Sequence, residues 1–438
     1  MTEARFLNPS LPDLRLSFLF LACVIYAFFG SPTPDHAGWT EIIVGCLMVF
    51  SVGIPGLVFL LRFSRGQPFW YGIGQFFLIY GLVVGSSVSI FFGHPFSQAL
   101  RDVIPFLFLF LPLFFQPAFM QRPELYRRLS FCFVLIGLVF SFRSVALQEG
   151  VLCPPFCPSE LLYLENMPTV LFSALFLTGA AVQNFIRRSS LRTATVLVLF
   201  ISLSLLPVTA LILTSQRASL GAVALYLLFI GGFYLYQRPL RMVPVIFFVL
   251  AVLVSTVLFL PSSGESLAHK TALVGLNNRP EEAKAVWDAV AGNPLTLLFG
   301  LGWGAHFHSP AVGGVSVNFT HNFFTTMLLK CGLCGLIFSF LYIAGLARVL
   351  ARVLFLDLVT GLALCAPFLI DITLYASFKS LDFGLTLLMI CSSLLYFSQS
   401  ESPSTLSPSS YASSDHTLHE PSLSPRSRCD GPGFARSG

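Results

Sequence analysis

Long apolar blocks, each about one bilayer crossing in length, follow one another along the first 397 residues. A helix needs roughly 20 residues to cross the hydrocarbon core. The blocks at 16–30, 40–61, 70–92, 102–119, 129–147, 167–186, 194–213, 218–236, 240–260, 320–346, 353–375 and 380–397 therefore predict twelve spans. The first is short and preceded by Pro9 and Pro12; the fourth carries Pro105 and Pro112, which membrane helices tolerate better than soluble ones. Two stretches break the pattern. Residues 261–319 form a long connection between spans 9 and 10, and 398–438 are rich in Ser and Pro, as expected of a disordered cytoplasmic tail. The expected fold class is an all-α polytopic integral membrane protein of about twelve transmembrane helices, with short helices in the large loop between spans 9 and 10. Residues 1–397 form its transmembrane domain.

Composition narrows the function classes. Of 438 residues, 55% are hydrophobic and 10% charged, against about 25% charged in soluble domains. A soluble enzyme, a collagenous chain, a disulfide scaffold and a nucleic-acid binder are excluded. The net charge of +5 is no DNA signal, because most arginines sit in short loops. Arg62 and Arg65; Arg122, Arg127 and Arg128; Arg187, Arg188 and Arg192; Arg238 and Arg241; and Arg348 and Arg352 follow every second span. With Arg5, Arg15, Arg426, Arg428 and Arg436, that side holds 17 of the 25 basic residues. The bias predicts both termini in the cytoplasm and the 261–319 loop outside. No small-residue cleavage site follows Phe29-Gly30-Ser31-Pro32 convincingly, so the first span is read as retained.

Within the loop, Pro280, Glu281 and Glu282 suit the first turn of a helix. Its spacing places Ala283, Val286, Trp287 and Val290 on one face, against the membrane surface or the bundle. The ten cysteines are scattered. Cys153 and Cys157 fall in an outer loop, where oxidising conditions permit a disulfide. Cys331 and Cys334 lie one turn apart inside span 10 without a second pair, and read as small residues at a helix contact.

The densest polar constellation faces outward. An arginine in the short outer turn Thr214-Ser215-Gln216-Arg217 runs against the positive-inside bias, and an anionic ligand near the outer leaflet accounts for it. Asn277-Asn278-Arg279-Pro280 precedes the loop helix. Gly300, Gly302 and Gly304 bracket Trp303, His306 and His308 follow, and His321-Asn322 opens span 10. No Lys-Ser/Thr follows the glycines, so this is no nucleotide loop. His306, His308 and His321 lack an obvious fourth ligand and a carboxylate cluster, so no metal is expected.

Arg279, Trp287, Asn293-Pro294, Gly300/Gly302/Gly304, His321-Asn322 and Gly332/Gly335, in that order, resemble the O-antigen ligase-like family of polytopic bacterial membrane glycosyltransferases. This family includes O-antigen ligases, polysaccharide polymerases and protein O-oligosaccharyltransferases. The motif region spans about 200–346. Ser215-Gln216-Arg217 matches a further family feature with one extra glutamine, and Lys330 stands where members often have an acid. The resemblance implies inverting, metal-independent transfer of a glycan from a polyprenyl diphosphate to an acceptor hydroxyl at the periplasmic face, without a cofactor. It implies catalytic roles for His321, Arg217 and Arg279, and substrate-binding positions at Asn322, Trp303, Gly302, Gly304, His306 and His308. The donor is already activated, so the protein must hold a departing diphosphate, a task suited to arginine forks. His321 either takes the acceptor's proton or only orients a substrate. The expected acceptor is lipid A–core, with a second lipid-linked glycan (polymerase) or a protein hydroxyl (oligosaccharyltransferase) as alternatives. Membrane lipids are partners and nucleic acid is not. The expected location is the bacterial inner membrane, with a periplasmic site. A twelve-span transporter is the competing class, but no repeat of related halves is evident.

Overall fold

The computed structural model describes residues 10–31, 38–63, 66–148, 164–259 and 279–400. The expected disulfide Cys153–Cys157, residues 261–278 and all but the start of the predicted tail lie outside them. The chain divides into two units, Met1–Gln399 and Ser400–Gly438.

The first unit is a helical bundle. Its helices are α1 (Ser10–Phe29), α2 (Trp39–Leu61), α3 (Phe69–Tyr80) continued by a π-turn (Gly81–Gly85) into α4 (Ser86–Phe91), α5 (Phe96–Phe108), α6 (Leu111–Gln121) and α7 (Leu125–Gln148). Then come α8 (Pro168–Arg187), α9 (Leu191–Leu213), α10 (Arg217–Gln237), α11 (Pro239–Phe259), α12 (Arg279–Ala291) and α13 (Pro294–Phe299). A small hairpin follows, β1 (Phe307–Ser309) with β2 (Val315–Val317), then α14 (Phe323–Leu356), α15 (Leu358–Thr373) and α16 (Leu381–Ser400). Among the described residues, eight helices are long and apolar enough to cross a membrane: Phe69–Phe91, Phe96–Gln121, Leu125–Leu147, Pro168–Arg187, Leu191–Leu213, Arg217–Gln237, Phe323–Leu356 and Leu381–Gln399. Four shorter apolar helices, Leu14–Phe29, Trp39–Ile54, Pro239–Val249 and Leu358–Thr373, fall on the other predicted spans. The chain is an all-α multi-pass membrane protein, and among the described residues eight of the twelve predicted spans are helices long and apolar enough to cross.

Two spans differ from their sequence reading for identifiable reasons. The fourth is two helices, α5 and α6, separated at Leu109-Phe110. Pro112 has no N–H for the carbonyl four residues back, so the ladder breaks there. The tenth, expected over 320–346, starts later and runs further. Asn322 caps α14 through its side-chain oxygen, and the helix continues to Leu356 across a break at Gly332 (φ 65°, ψ −164°).

The loop helix forms as α12, but its buried face is rotated from the one expected. Val286 and Val290 are fully buried, and Glu282 is 3% exposed, while Trp287 is 46% exposed. The buried stripe is 282, 286, 290 (a strict i, i+4, i+8 row), packed on Phe307, Leu328 and Leu329. A carboxylate, where an apolar residue was expected, thereby points into the protein.

If the basic alternation sets the topology, Gly292→Cys labels from outside and Ser189→Cys only from the cytoplasm, in a background without the native cysteines. Both positions are exposed, so labelling reports sidedness and not burial. Access to Gly292→Cys from the cytoplasmic side alone reverses the orientation.

Candidate functional site

The break at Gly332 organises the site. A helix broken there leaves carbonyls without partners inside an apolar bundle, where each unpaired group is costly. The Leu301 N–H donates to the Leu329 carbonyl at 2.9 Å and the Gly302 N–H to the Lys330 carbonyl at 3.0 Å. The Tyr80 hydroxyl donates to the Cys331 carbonyl at 2.9 Å. The glycine run is thus docked edge-on into the gap in α14. Gly300 and Gly332 face one another with positive φ, and Cβ atoms there would lie 2.5 and 2.4 Å from the opposing backbone. Trp303 follows into the core: it is 2% exposed, its indole N–H donates to the Gly81 carbonyl of the π-turn at 2.7 Å, and its ring lies 4.8 Å from that of Phe106.

This docking fixes the start of the hairpin and, beyond it, His321. In β1, Phe307 and Ser309 face inward and His308 outward. The Ser309 hydroxyl donates to Glu282 Oε1 at 2.6 Å. His321 meets the same carboxylate twice. Its backbone N–H donates to Oε2 at 3.0 Å, and its Nδ1 lies 3.2 Å from both oxygens. The His321 ring is 27% exposed and the Glu282 side chain 4%, so one end of the imidazole is anchored and the other is open. Burial pushes the Glu282 carboxyl up, but hydrogen bonds from the His321 ring and backbone and from Ser309 outweigh it and hold the group below its ordinary value.

Arg279, the first residue of α12, lies within electrostatic reach of Glu282, Tyr375 and Arg217. Burial lowers its guanidinium from the ordinary value, Tyr375 and Glu282 oppose this, and Arg217 adds to it; an arginine stays charged throughout the physiological range. Arg217 opens α10 one residue beyond Ser215, which takes a positive φ of 53°. The departure from the family pattern, Gln216, is used. Its Oε1 accepts from the Tyr375 hydroxyl at 3.1 Å and its Nε2 lies 3.5 Å from Glu165. Arg217 and Arg279 therefore act on one another electrostatically, and Arg279 acts also on Glu282 of the Glu282–His321 pair. Among the described residues, neither forms an ion pair within 4.0 Å.

Of the nine expected site residues, Arg217, Arg279 and His321 are brought to one region. The others have structural partners. Asn322 spends its side-chain oxygen on the Phe324 N–H at 2.8 Å and the Thr325 N–H at 3.4 Å. Trp303 is enclosed, and Gly302 and Gly304 approach the backbones of Ser89 and Ala99. His306 and His308 are exposed, with Nδ1 on the Gly304 and Gly314 carbonyls at 2.9 and 3.1 Å. Among the described residues, no three His, Cys, Asp or Glu side chains come together as metal ligands. Cys331 and Cys334 are free thiols.

Sequence reasoning missed Glu282 as a site residue, and it missed the partner of Lys330. Lys330 is fully buried, with Nζ 2.5 Å from Asp102 Oδ2 and 2.7 Å from the Ala305 carbonyl. The Gly304 N–H donates to the same Oδ2 at 2.8 Å and the Asn318 amide to Oδ1 at 3.2 Å. Lys379 approaches at 3.5 Å, and its ammonium lies 5.2 Å from the centroid of the Phe319 ring, which faces His321 at 6.0 Å. Asp102 thus ties α5, the glycine loop, the hairpin exit and α14 together.

Residues 202–340 match the family model described as O-antigen ligase. No curated protein matches the chain. The matched stretch runs from α9 into α14 and contains Arg217, Arg279, Glu282, His321 and Lys330, while Asp102, Tyr375 and Lys379 lie outside it.

Proposed function

We propose, on the match of residues 202–340 to the O-antigen ligase family model, that the chain ligates a glycan from a polyprenyl diphosphate carrier onto lipid A–core. The reaction is placed at the periplasmic face of a bacterial inner membrane. The observation that carries this reading is the gathering of Arg279, within electrostatic reach of Arg217, and the Glu282–His321 contact in one region. Two guanidinium groups in one region repel one another, and a diphosphate offers oxygens for both forks.

The acceptor hydroxyl attacks the anomeric carbon from the side opposite the diphosphate, which departs with the bonding electrons, so configuration inverts. The charge that develops on the leaving oxygen is met by the two guanidinium groups, positioned before the reaction and needing little reorganisation. His321, at the edge of the same region, presents its open ring edge to the acceptor.

Arg217→Lys and Arg279→Lys keep the charge and lose the fork. Each is expected to lower transfer about 10- to 100-fold, on the scale of hydrogen bonds to charged groups, while the protein accumulates normally. The assay uses purified protein, a lipid-linked glycan and three acceptors offered separately. Product on lipid A–core identifies a ligase, lengthened lipid-linked glycan a polymerase, and glycoprotein an oligosaccharyltransferase. Full activity in both lysine variants removes the diphosphate clamp.

A further inference from the structure

We propose that Glu282 is the positioning residue that makes His321 the proton acceptor, by fixing the ring in the Nδ1–H tautomer with Nε2 turned to the reacting hydroxyl. This inference rests on the glycan-transfer reading above and assigns Glu282 a role that reading leaves open.

The argument begins with the donor and acceptor inventory around the carboxylate. Glu282 is ionised, held below its ordinary value, and so can only accept. A ring nitrogen 3.2 Å from both of its oxygens must then carry the proton. Neutral imidazole has one N–H, so Nε2 is left with its lone pair.

The carboxylate itself cannot turn away. Its Oε1 takes the Ser309 hydroxyl at 2.6 Å and its Oε2 the His321 backbone N–H at 3.0 Å, so its plane is set by two different segments of chain. The segment that carries it is α12, pinned one and two turns later by the buried Val286 and Val290. The ring is consequently held by a rigid element through a fully engaged partner, the arrangement in which a base keeps its aim.

In the reaction, the acceptor O–H bond breaks toward Nε2, the oxygen forms the new bond to the anomeric carbon, and the bond from that carbon to the diphosphate oxygen breaks. The imidazolium produced sits against the Glu282 carboxylate, which stabilises it, while the two arginines receive the leaving group. The charged and titratable groups around the pair are Arg279, whose charge acts on Glu282; Arg217 and Tyr375, which act on Arg279; and Lys379, across the Phe319 ring.

A purely structural role for Glu282 is the competing explanation, since it also accepts a backbone N–H at the entrance to α14. Two measurements separate them. Nitrogen-15 NMR of histidine-labelled wild-type protein in nanodiscs, with His321→Gln used to assign the resonance, is expected to show Nδ1 protonated and Nε2 bare. The reverse tautomer overturns the proposal without reference to any substrate. In the transfer assay, Glu282→Gln keeps size but removes the charge and exchanges one accepting oxygen for a donating amide; its rate is expected to fall about 10- to 100-fold, the range seen for carboxylates behind metal-bound histidines. Its acidic limb should also move to lower pH, because the imidazolium has lost its counter-charge. A wild-type rate and pH profile overturns the proposal. Should Glu282→Gln fail to accumulate, Ser309→Ala, which keeps the charge but frees one carboxylate oxygen and so loosens the anchor of the ring, should show a smaller fall in rate; a wild-type rate there counts against it. Wild-type protein inactive with every donor and acceptor, but with the Nδ1–H tautomer, would instead locate the failure in the glycan-transfer reading.

Discussion

Replacing His321 by Ala is expected to lower kcat/KM for glycan transfer by about 10²–10⁴-fold, the range that general-base catalysis supplies. Folding should be little affected. The ring is partly exposed, and the bond that anchors the loop to Glu282 Oε2 comes from the backbone N–H, which alanine retains. The loss should therefore appear in kcat with a melting temperature near wild type. His321→Gln offers a hydrogen bond but no basic nitrogen. It separates the two roles that the sequence left open: recovery by glutamine means the ring orients a substrate, and no recovery means it takes the proton. A His321→Ala enzyme within a few-fold of wild type removes essential base catalysis at this position.

Of the nine residues that sequence reading assigned to the site, the three that come together were legible for a common reason. Arg217 stands against the positive-inside bias, Arg279 opens a helix with its own start signals, and His321 sits where a polar ring enters an apolar segment. Each is visible from its near neighbours. Glu282 was visible too, but its chemistry was read locally. An acid in a first turn complements the helix dipole, and Trp287 was the more persuasive guide to the buried face. Only the packing of Val286 and Val290 shows that the stripe passes through the carboxylate. Asp102 was harder still. Nothing near it in the chain points to Lys330, 228 residues away. The break at Gly332 escaped for another reason. Gly332 and Gly335 were read only as part of a motif, and the positive φ that interrupts α14 becomes evident only when the loop that fills the gap is known.

That break supports the second large expected effect, which is on folding rather than on chemistry. Gly300→Ala should prevent accumulation of the protein, or lower its melting temperature severely. At φ 80° and ψ −168° the backbone occupies a region open essentially to glycine alone, costing about 1–3 kcal/mol for other residues. The added Cβ would also lie 2.5 Å from the Lys330 carbonyl carbon and oxygen. These are backbone atoms and cannot swing aside as a side-chain tip can. Moving them pulls the Leu301 and Gly302 N–H groups from the carbonyls they satisfy in α14, and those carbonyls have no water to turn to. Gly292→Ala is the control, since a Cβ there meets nothing within 4 Å; it should accumulate and melt like wild type. Normal stability in Gly300→Ala means the glycine run does not depend on this close approach.

The bond between Lys330 and Asp102 has a bearing on how interchangeable parts of the molecule are between relatives. Lys330 lies inside the stretch that matches the family, and Asp102 lies far outside it. A segment grafted from a member with an acid at the Lys330 position would set two carboxylates against each other in a buried place, in place of the ion pair there now. Unpaired buried charge is among the costliest changes a core can absorb. The family-matched segment of this protein is therefore not self-contained: its electrical balance is completed by the preceding bundle, and any hybrid must carry residue 102 along with it.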